Sequence, residues 1–150
     1  MKIGFIGASG NIASAIIGGI VKSGYEKECN LNLFDISNEK LKKYENAVIC
    51  ESSVDVVEKS DYIFLAVKPQ IIFSVLDKIK GAVRNDKVLV SVAAGVSIDS
   101  IKKAIGFDCK VIRVMPNTPL MLSQGASGVS CKAPVTSEEF DFVLGVFKTA

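Results

Sequence analysis

KIGFIGASGNIASAIIGGIV, residues 2–21, is the stretch whose reading decides the fold. An apolar, strand-like run over residues 3–6 breaks at Gly7-Ala8-Ser9-Gly10. It resumes as a small-residue helix with Ala13, Ile16, Ile17 and Ile20 on one face. Strand, glycine turn and helix follow one another directly. Such a turn directs backbone N–H groups and the positive end of the helix dipole at whatever sits there, which favours a pyrophosphate. The spacing is Gly7-x-x-Gly10-x-x-Ala13, whereas the usual dinucleotide fingerprint is G-x-G-x-x-G/A. Glycine also serves any tight turn. The position of the turn, after a strand and before a helix, is the context the fingerprint requires, so the expectation is a nucleotide site.

The chain has 150 residues, which suits one domain with a substantial core. Its 18 basic and 16 acidic residues are interspersed and leave a net charge of +2. No basic block argues for nucleic acid or an anionic membrane surface. No apolar run approaches the roughly 18 residues of a membrane span or has the layout of a signal peptide, so the cytoplasm is the default. The four cysteines, Cys29, Cys50, Cys109 and Cys131, form no C-x-x-C pair and read as free buried thiols, with neither zinc nor a redox dithiol suggested. The chain has 0 histidines. That excludes Ser-His-Asp hydrolysis, Cys-His catalysis, a His-ligated metal and a His acid in hydride transfer.

Outward from the opening stretch, the same design repeats. Lys22-Ser23-Gly24 reads as a helix stop. Leu31-Asn32-Leu33-Phe34 reads as a strand that delivers Asp35, and Ser37 or Asn38 can cap a helix running through Glu39 to Tyr44. At the end of a second strand a carboxylate accepts from the ribose 2′- and 3′-hydroxyls and repels a 2′-phosphate, which argues for NADH over NADPH. A turn or capping aspartate is the alternative, with Ser37 and Lys40 then able to hold a phosphate. A short strand over residues 47–50 precedes a brief helix begun by Ser52-Ser53. Residues 61–67 form a near-continuous apolar run, expected to be a central strand buried on both faces. It ends at Lys68-Pro69-Gln70 and presents Lys68 at the ligand edge of the sheet, to meet a phosphate or carboxylate or to remain a solvated lysine. A helix is expected over residues 70–80, with Ile71, Ile72, Val75, Leu76 and Ile79 as a core stripe. Residues 87–93 are the next strand, leaving through Ala93-Ala94-Gly95, where small residues serve a close ligand or close packing. Ser97 caps a helix over residues 98–105. Another strand over residues 110–115 delivers Pro116-Asn117-Thr118-Pro119, a rigid turn. Residues 124–131 read as a glycine-loosened strand, and Thr136-Ser137-Glu138-Glu139 is a capping box for a final helix carrying Phe140, Val143, Leu144 and Phe147.

Four stretches, IGFIGASGNIASAIIGG, DYIFLAVKPQ, VLVSVAAGVSIDSI and VIRVMPNTPLMLSQGA, resemble pyrroline-5-carboxylate reductase over the whole chain. The first is shared by many dehydrogenases, whereas AVKPQ and RVMPNTP in this order are far more specific. The resemblance implies reduction of the C=N bond of 1-pyrroline-5-carboxylate to proline with NADPH or NADH. A cyclic imine that binds as its iminium already carries its proton, so the site has chiefly to position two reactants. Carried over to this chain, the cofactor contacts implied are Gly7, Ala8, Gly10, Asn11 and Ile12 in the turn. Asp35, then Ala66, Val67, Lys68 and Pro69, then Ala93, Ala94 and Gly95 complete the three strand exits. Ser53 stands where the family often has a cofactor-contacting Asn, and Asn117 falls beside the nicotinamide end. No catalytic residue and no metal ligand is implied.

Two departures follow from the comparison. The family usually reads G-x-G-N-x-A, so the turn here has one additional residue, Ser9, which either adds a hydroxyl contact or changes the phosphate grip. The family also carries a second, helical domain that forms the homo-oligomer and supplies most of the imino-acid pocket. The expectation is a Rossmann-like doubly wound, mostly parallel sheet with helices on both faces over residues 1–150, truncated before that domain and inactive alone. The alternatives are a non-catalytic nucleotide-binding module, or a related imine or deazaflavin-linked reductase.

Overall fold

The computed structural model describes residues 1–24, 30–115 and 128–148. Alternation of apolar runs with helical stripes yields β1 (Lys2–Ile6), α1 (Asn11–Ser23), β2 (Asn30–Phe34), β3 (Val48–Ile49), α2 (Ser53–Lys59), β4 (Tyr62–Leu65) and α3 (Ile72–Ile79). The series continues with β5 (Val88–Ser91), α4 (Ile98–Ile105), β6 (Lys110–Met115), β7 (Gly128–Cys131) and α5 (Ser137–Lys148).

Among the described residues seven strands form one sheet in the order β3-β2-β1-β4-β5-β6-β7. All neighbours are parallel except β6 and β7, which pair antiparallel with Val114 opposite Val129. Every residue of β4 and β5 is buried, because helices cover both faces of a parallel sheet. Against one face lie α1 and α5, which join Ile16, Ile17, Val143 and Phe147 to Phe5, Phe64 and Val90. Phe5 and Phe64 stack at 4.7 Å between ring centroids, and Phe147 approaches Phe64 at 5.9 Å. Against the other face, α2, α3 and α4 bring Val56, Leu76 and Ile101 onto Ile63, Leu65 and Val111. The expected Rossmann-like architecture is therefore the one observed.

Local signals explain most element ends. Gly24 and Gly106 close α1 and α4 in the left-handed conformation at φ 80° and 99°. Ser52 accepts from the Asp55 N–H and Ser97 from the Ser100 N–H, so both hydroxyls cap. Thr136 Oγ1 accepts from the Glu139 N–H while Glu139 Oε1 accepts from the Thr136 N–H, which completes the capping box. Glu139 also meets Lys110 Nζ at 2.7 Å and so ties α5 to β6.

Two helices differ from the sequence reading. The helix expected through Tyr44 is a single 3₁₀ turn over Asn38–Leu41, and Ser37 makes no side-chain cap. Asp35 Oδ1 accepts the Ser37 N–H, drawing the chain into a turn, and among the neighbouring apolar side chains only Leu41 is fully buried. The helix expected from Gln70 begins at Ile72. The Ile71 N–H donates to the Lys68 carbonyl at 3.0 Å, so residues 68–71 form a β-turn with Pro69 at its second position, where a fixed φ fits. Ile71 consequently faces outward, 43% exposed. Strand residues 124–127 and the 116–119 turn lie outside the described residues, as does Cys29. Cys50 and Cys109 are buried, and Cys131 is half-buried. No helix among the described residues is long and apolar enough to cross a membrane.

Candidate functional site

The strand order reverses at β1, which has β2 on one side and β4 on the other, and the crevice outside the carboxyl ends of these strands is where such sheets take ligands. Three strand exits meet there. Gly7 leaves β1 at φ 85°, in the left-handed region, and a Cβ at this position would lie 2.6 Å from the Ala66 carbonyl oxygen. Only glycine allows the β1 and β4 exits to come this close. Gly10 has looser surroundings, since its Cβ would stand 3.4 Å from the Gly7 oxygen.

The glycine turn is satisfied from within. The Gly7 and Ala8 N–H groups both donate to the Phe34 carbonyl, at 3.0 and 3.1 Å, and the Gly10 N–H donates to Gly7 at 3.1 Å. The Ser9 N–H donates to Asp35 Oδ2 at 3.0 Å. The first helical bond of α1 is from the Ser14 N–H to Gly10 at 2.8 Å. The N–H groups of Asn11, Ile12 and Ala13 therefore open the helix with no carbonyl of its own to receive them. Nor does a side chain cap α1, and its first turn holds no acid. By contrast α2, α4 and α5 all begin with a capping hydroxyl and an acidic residue in the first turn.

Beside the turn lies a cavity of about 390 Å³. One wall is Phe34, Asp35 and Ile36 at the β2 exit, and the other is Ala66, Val67 and Lys68 at the β4 exit with Ile71, Val75 and Lys78 from α3. Gly7, Ser9 and Gly10 of the turn also line the cavity, as does Ser53, 8% exposed. Burial alone would raise the Asp35 pKa, but hydrogen bonds from the Ser37 N–H, the Ser9 hydroxyl, the Ser9 N–H and the Ile36 N–H outweigh it. The carboxyl is held below its ordinary range and is ionised at neutral pH.

Of the residues expected to contact a cofactor, Gly7, Ser9, Gly10, Asp35, Ser53, Ala66, Val67 and Lys68 line this one cavity. Ala8 is fully buried in the core beneath the turn, and Ala93 is buried at the β5 exit. Asn11 is exposed and Ile12 half-buried on α1, while Pro69, Ala94 and Gly95 are exposed. None of these lines the cavity. Asn117 lies outside the described residues. The sequence reading missed Ile36, 92% exposed, and treated Ile71 and Val75 as core. The signal for Ile36 was an isolated apolar residue between Asp35 and Ser37 in a polar stretch.

Residues 2–95, from β1 through the β5 exit, match the family model described as NADP oxidoreductase coenzyme F420-dependent. Along the whole chain the similarity is to pyrroline-5-carboxylate reductases. The Escherichia coli (strain K12) protein is 39% identical over 150 residues, covering 98% of this chain and 55% of that protein. The Methanosarcina acetivorans protein is 36% identical over 149 residues, covering 97% and 55%. The crystal structure of the Plasmodium falciparum pyrroline carboxylate reductase, solved with NADP bound, superposes with a TM-score of 0.82 at 29% identity, covering 99% of this chain and 55% of that one. The chain thus spans about half the length of the curated relatives it matches. Because the matched region carries the glycine turn and all the strand exits that frame the cavity, the chain belongs to the NADP oxidoreductase coenzyme F420-dependent family.

Proposed function

We propose that these 150 residues are the dinucleotide-binding part of a pyrroline-5-carboxylate reductase, which reduces 1-pyrroline-5-carboxylate to L-proline with NADPH or NADH. The observation that carries this reading is the 39% identity to the Escherichia coli reductase over 98% of the chain, well beyond the residues 2–95 of the family model.

The residues present fit a dinucleotide. The three unreceived N–H groups of Asn11, Ile12 and Ala13, at an α1 terminus with no acid and no side-chain cap, suit a pyrophosphate. Gly7 lets that group approach the backbone of the turn closely. Asp35 is placed to receive hydroxyls of the adenosine ribose, and Ile36 and Ile71 offer apolar surface from opposite walls of the cavity to a flat base. Lys68 leaves the central strand at the ligand edge, ready for a phosphate. When bound, the dinucleotide supplies the hydride for the C=N carbon. A substrate that arrives as its iminium brings its own proton, in keeping with a chain that has 0 histidines.

The chain's own part in the reaction is to bind and orient the cofactor. Because it covers 55% of the length of its relatives, the reading includes binding without turnover by these residues alone. It also includes a cytoplasmic setting and a homo-oligomer built through the additional length of the relatives.

Calorimetric titration with NADH and NADPH, followed by addition of 1-pyrroline-5-carboxylate, tests this. Binding of at least one dinucleotide is expected, with oxidation of it only in a chain extended to the relatives' full length. Failure to bind either dinucleotide, or failure of the extended chain to oxidise NAD(P)H, overturns the reading.

A further inference from the structure

The additional residue of the glycine turn is joined to the carboxylate at the end of β2. Ser9 reaches Asp35 through its N–H at 3.0 Å, with its hydroxyl beside the same carboxylate, and the Ser37 N–H grips the other carboxylate oxygen at 3.1 Å. Ser9 is itself steadied, since its carbonyl accepts from Ser14 Oγ at 3.5 Å on the first turn of α1. The Asp35 carboxylate is thus held from two directions, by the turn that precedes α1 and by the chain that leaves β2.

We propose that Ser9 sets the choice of dinucleotide, by fixing the ionised Asp35 carboxylate at the adenosine ribose so that NADH is accepted and the 2′-phosphate of NADPH is repelled. This rests on the dinucleotide reading above and deepens it. A freely turning aspartate could swing away from a 2′-phosphate and relieve the repulsion. One clamped on both oxygens by backbone donors cannot, and its charge acts at short range in a half-buried wall. Among the described residues the cations lining the cavity are Lys68 and Lys78, exposed side chains on the β4 and α3 wall, where solvent and salt screen them. The clamp also removes the Ser9 N–H from phosphate binding and leaves that task to Asn11, Ile12 and Ala13. This selectivity differs from the NADP found in the Plasmodium falciparum structure.

The test is calorimetric titration of the 150-residue chain and four variants with NADH and NADPH, alongside thermal melts to verify folding. The unaltered chain is expected to bind NADH roughly tenfold or more tightly than NADPH. Ser9→Thr, which keeps both donors, retains that ratio. Ser9→Ala narrows it by about threefold, and deletion of Ser9 or Asp35→Asn narrows it by about tenfold, chiefly through tighter NADPH binding. Should the chain bind both dinucleotides equally, or favour NADPH, the inference fails while the dinucleotide reading stands. It fails likewise if Asp35→Asn changes the ratio and neither Ser9→Ala nor the deletion does. Absence of binding to either dinucleotide overturns both.

Discussion

Gly7 sets its bare α-carbon against the carbonyl of Ala66, where a Cβ would lie 2.6 Å from the oxygen. Two requirements coincide at this position, a φ of 85° and a backbone neighbour that cannot retreat without disturbing β4. Gly7→Ala should therefore destabilise the chain by about 2–4 kcal/mol, from left-handed strain plus overlap. Gly10→Ala, with its nearest contact at 3.4 Å, should cost under about 1 kcal/mol. Urea melts of the two variants side by side test the contrast; equal losses would refute it.

The aliphatic walls of the cavity can be separated from stability. Ile36 is 92% exposed and so contributes little burial to folding, whereas Ile71, 43% exposed, is more than half buried. Ile36→Ser and Ile71→Ser should each weaken dinucleotide binding by roughly three- to tenfold, while the unfolding free energy stays within about 0.5 kcal/mol for Ile36→Ser and falls by about 1 kcal/mol for Ile71→Ser. A loss of affinity accompanied by an equal loss of stability would mean that these side chains serve the fold.

Asn32 is a polar residue in the middle of a buried strand, 4% exposed. Its Nδ2 donates to the Lys59 carbonyl and to Ser60 Oγ, both at 3.1 Å, which ties β2 to the end of α2. Asn32→Ala should cost about 1–3 kcal/mol, because it removes donors from buried acceptors. Asn32→Leu should cost as much, since the acceptors still lose their donors and the larger apolar group does not replace them. Denaturant melts decide; a stabilising Asn32→Leu would contradict the account.

Acid should weaken the attachment of α5. Burial pushes the Glu139 pKa up, but hydrogen bonds from Lys110 and Thr136 outweigh it and hold the carboxyl below its ordinary 4.5. A carboxyl with a depressed folded pKa contributes stability that is fully present above the unfolded value and lost as pH falls through the folded one. Glu139→Gln should therefore be less stable than the unaltered chain at neutral pH, and the gap should close on acidification below about pH 4.5. Melts of both proteins across that range supply the check, and a gap independent of pH would exclude the ion pair as its cause.

Much of the architecture was legible in the sequence because its signals were local. Gly24 ended a helix, Ser52, Ser97 and Thr136 began others, and the unbroken apolar run around Ile63 gave a strand buried on both faces. The turn at Lys68 was harder to read, because Pro69 suits the first turn of a helix and the second position of a β-turn equally well. That ambiguity placed Ile71 in the core, when it is exposed at the cavity, whereas Val75 both packs against the core and lines the cavity. The bond from Ser9 to Asp35 spans 26 residues of chain and could not be found by spacing alone, since it depends on the side-by-side pairing of β1 with β2.

That pairing also governs when the cleft can come into being. Lys2 pairs with Asn30 and Ile3 with Tyr62, so the strands that frame the site lie 28 and 59 positions further along the chain. Closing such loops costs entropy before any contact repays it, and parallel strands have no hairpin to shorten the search. Cleft geometry therefore cannot precede the encounter of these distant strands. A bound nucleotide should lengthen the lifetime of the folded chain by slowing its unfolding, and leave the speed of refolding as it was.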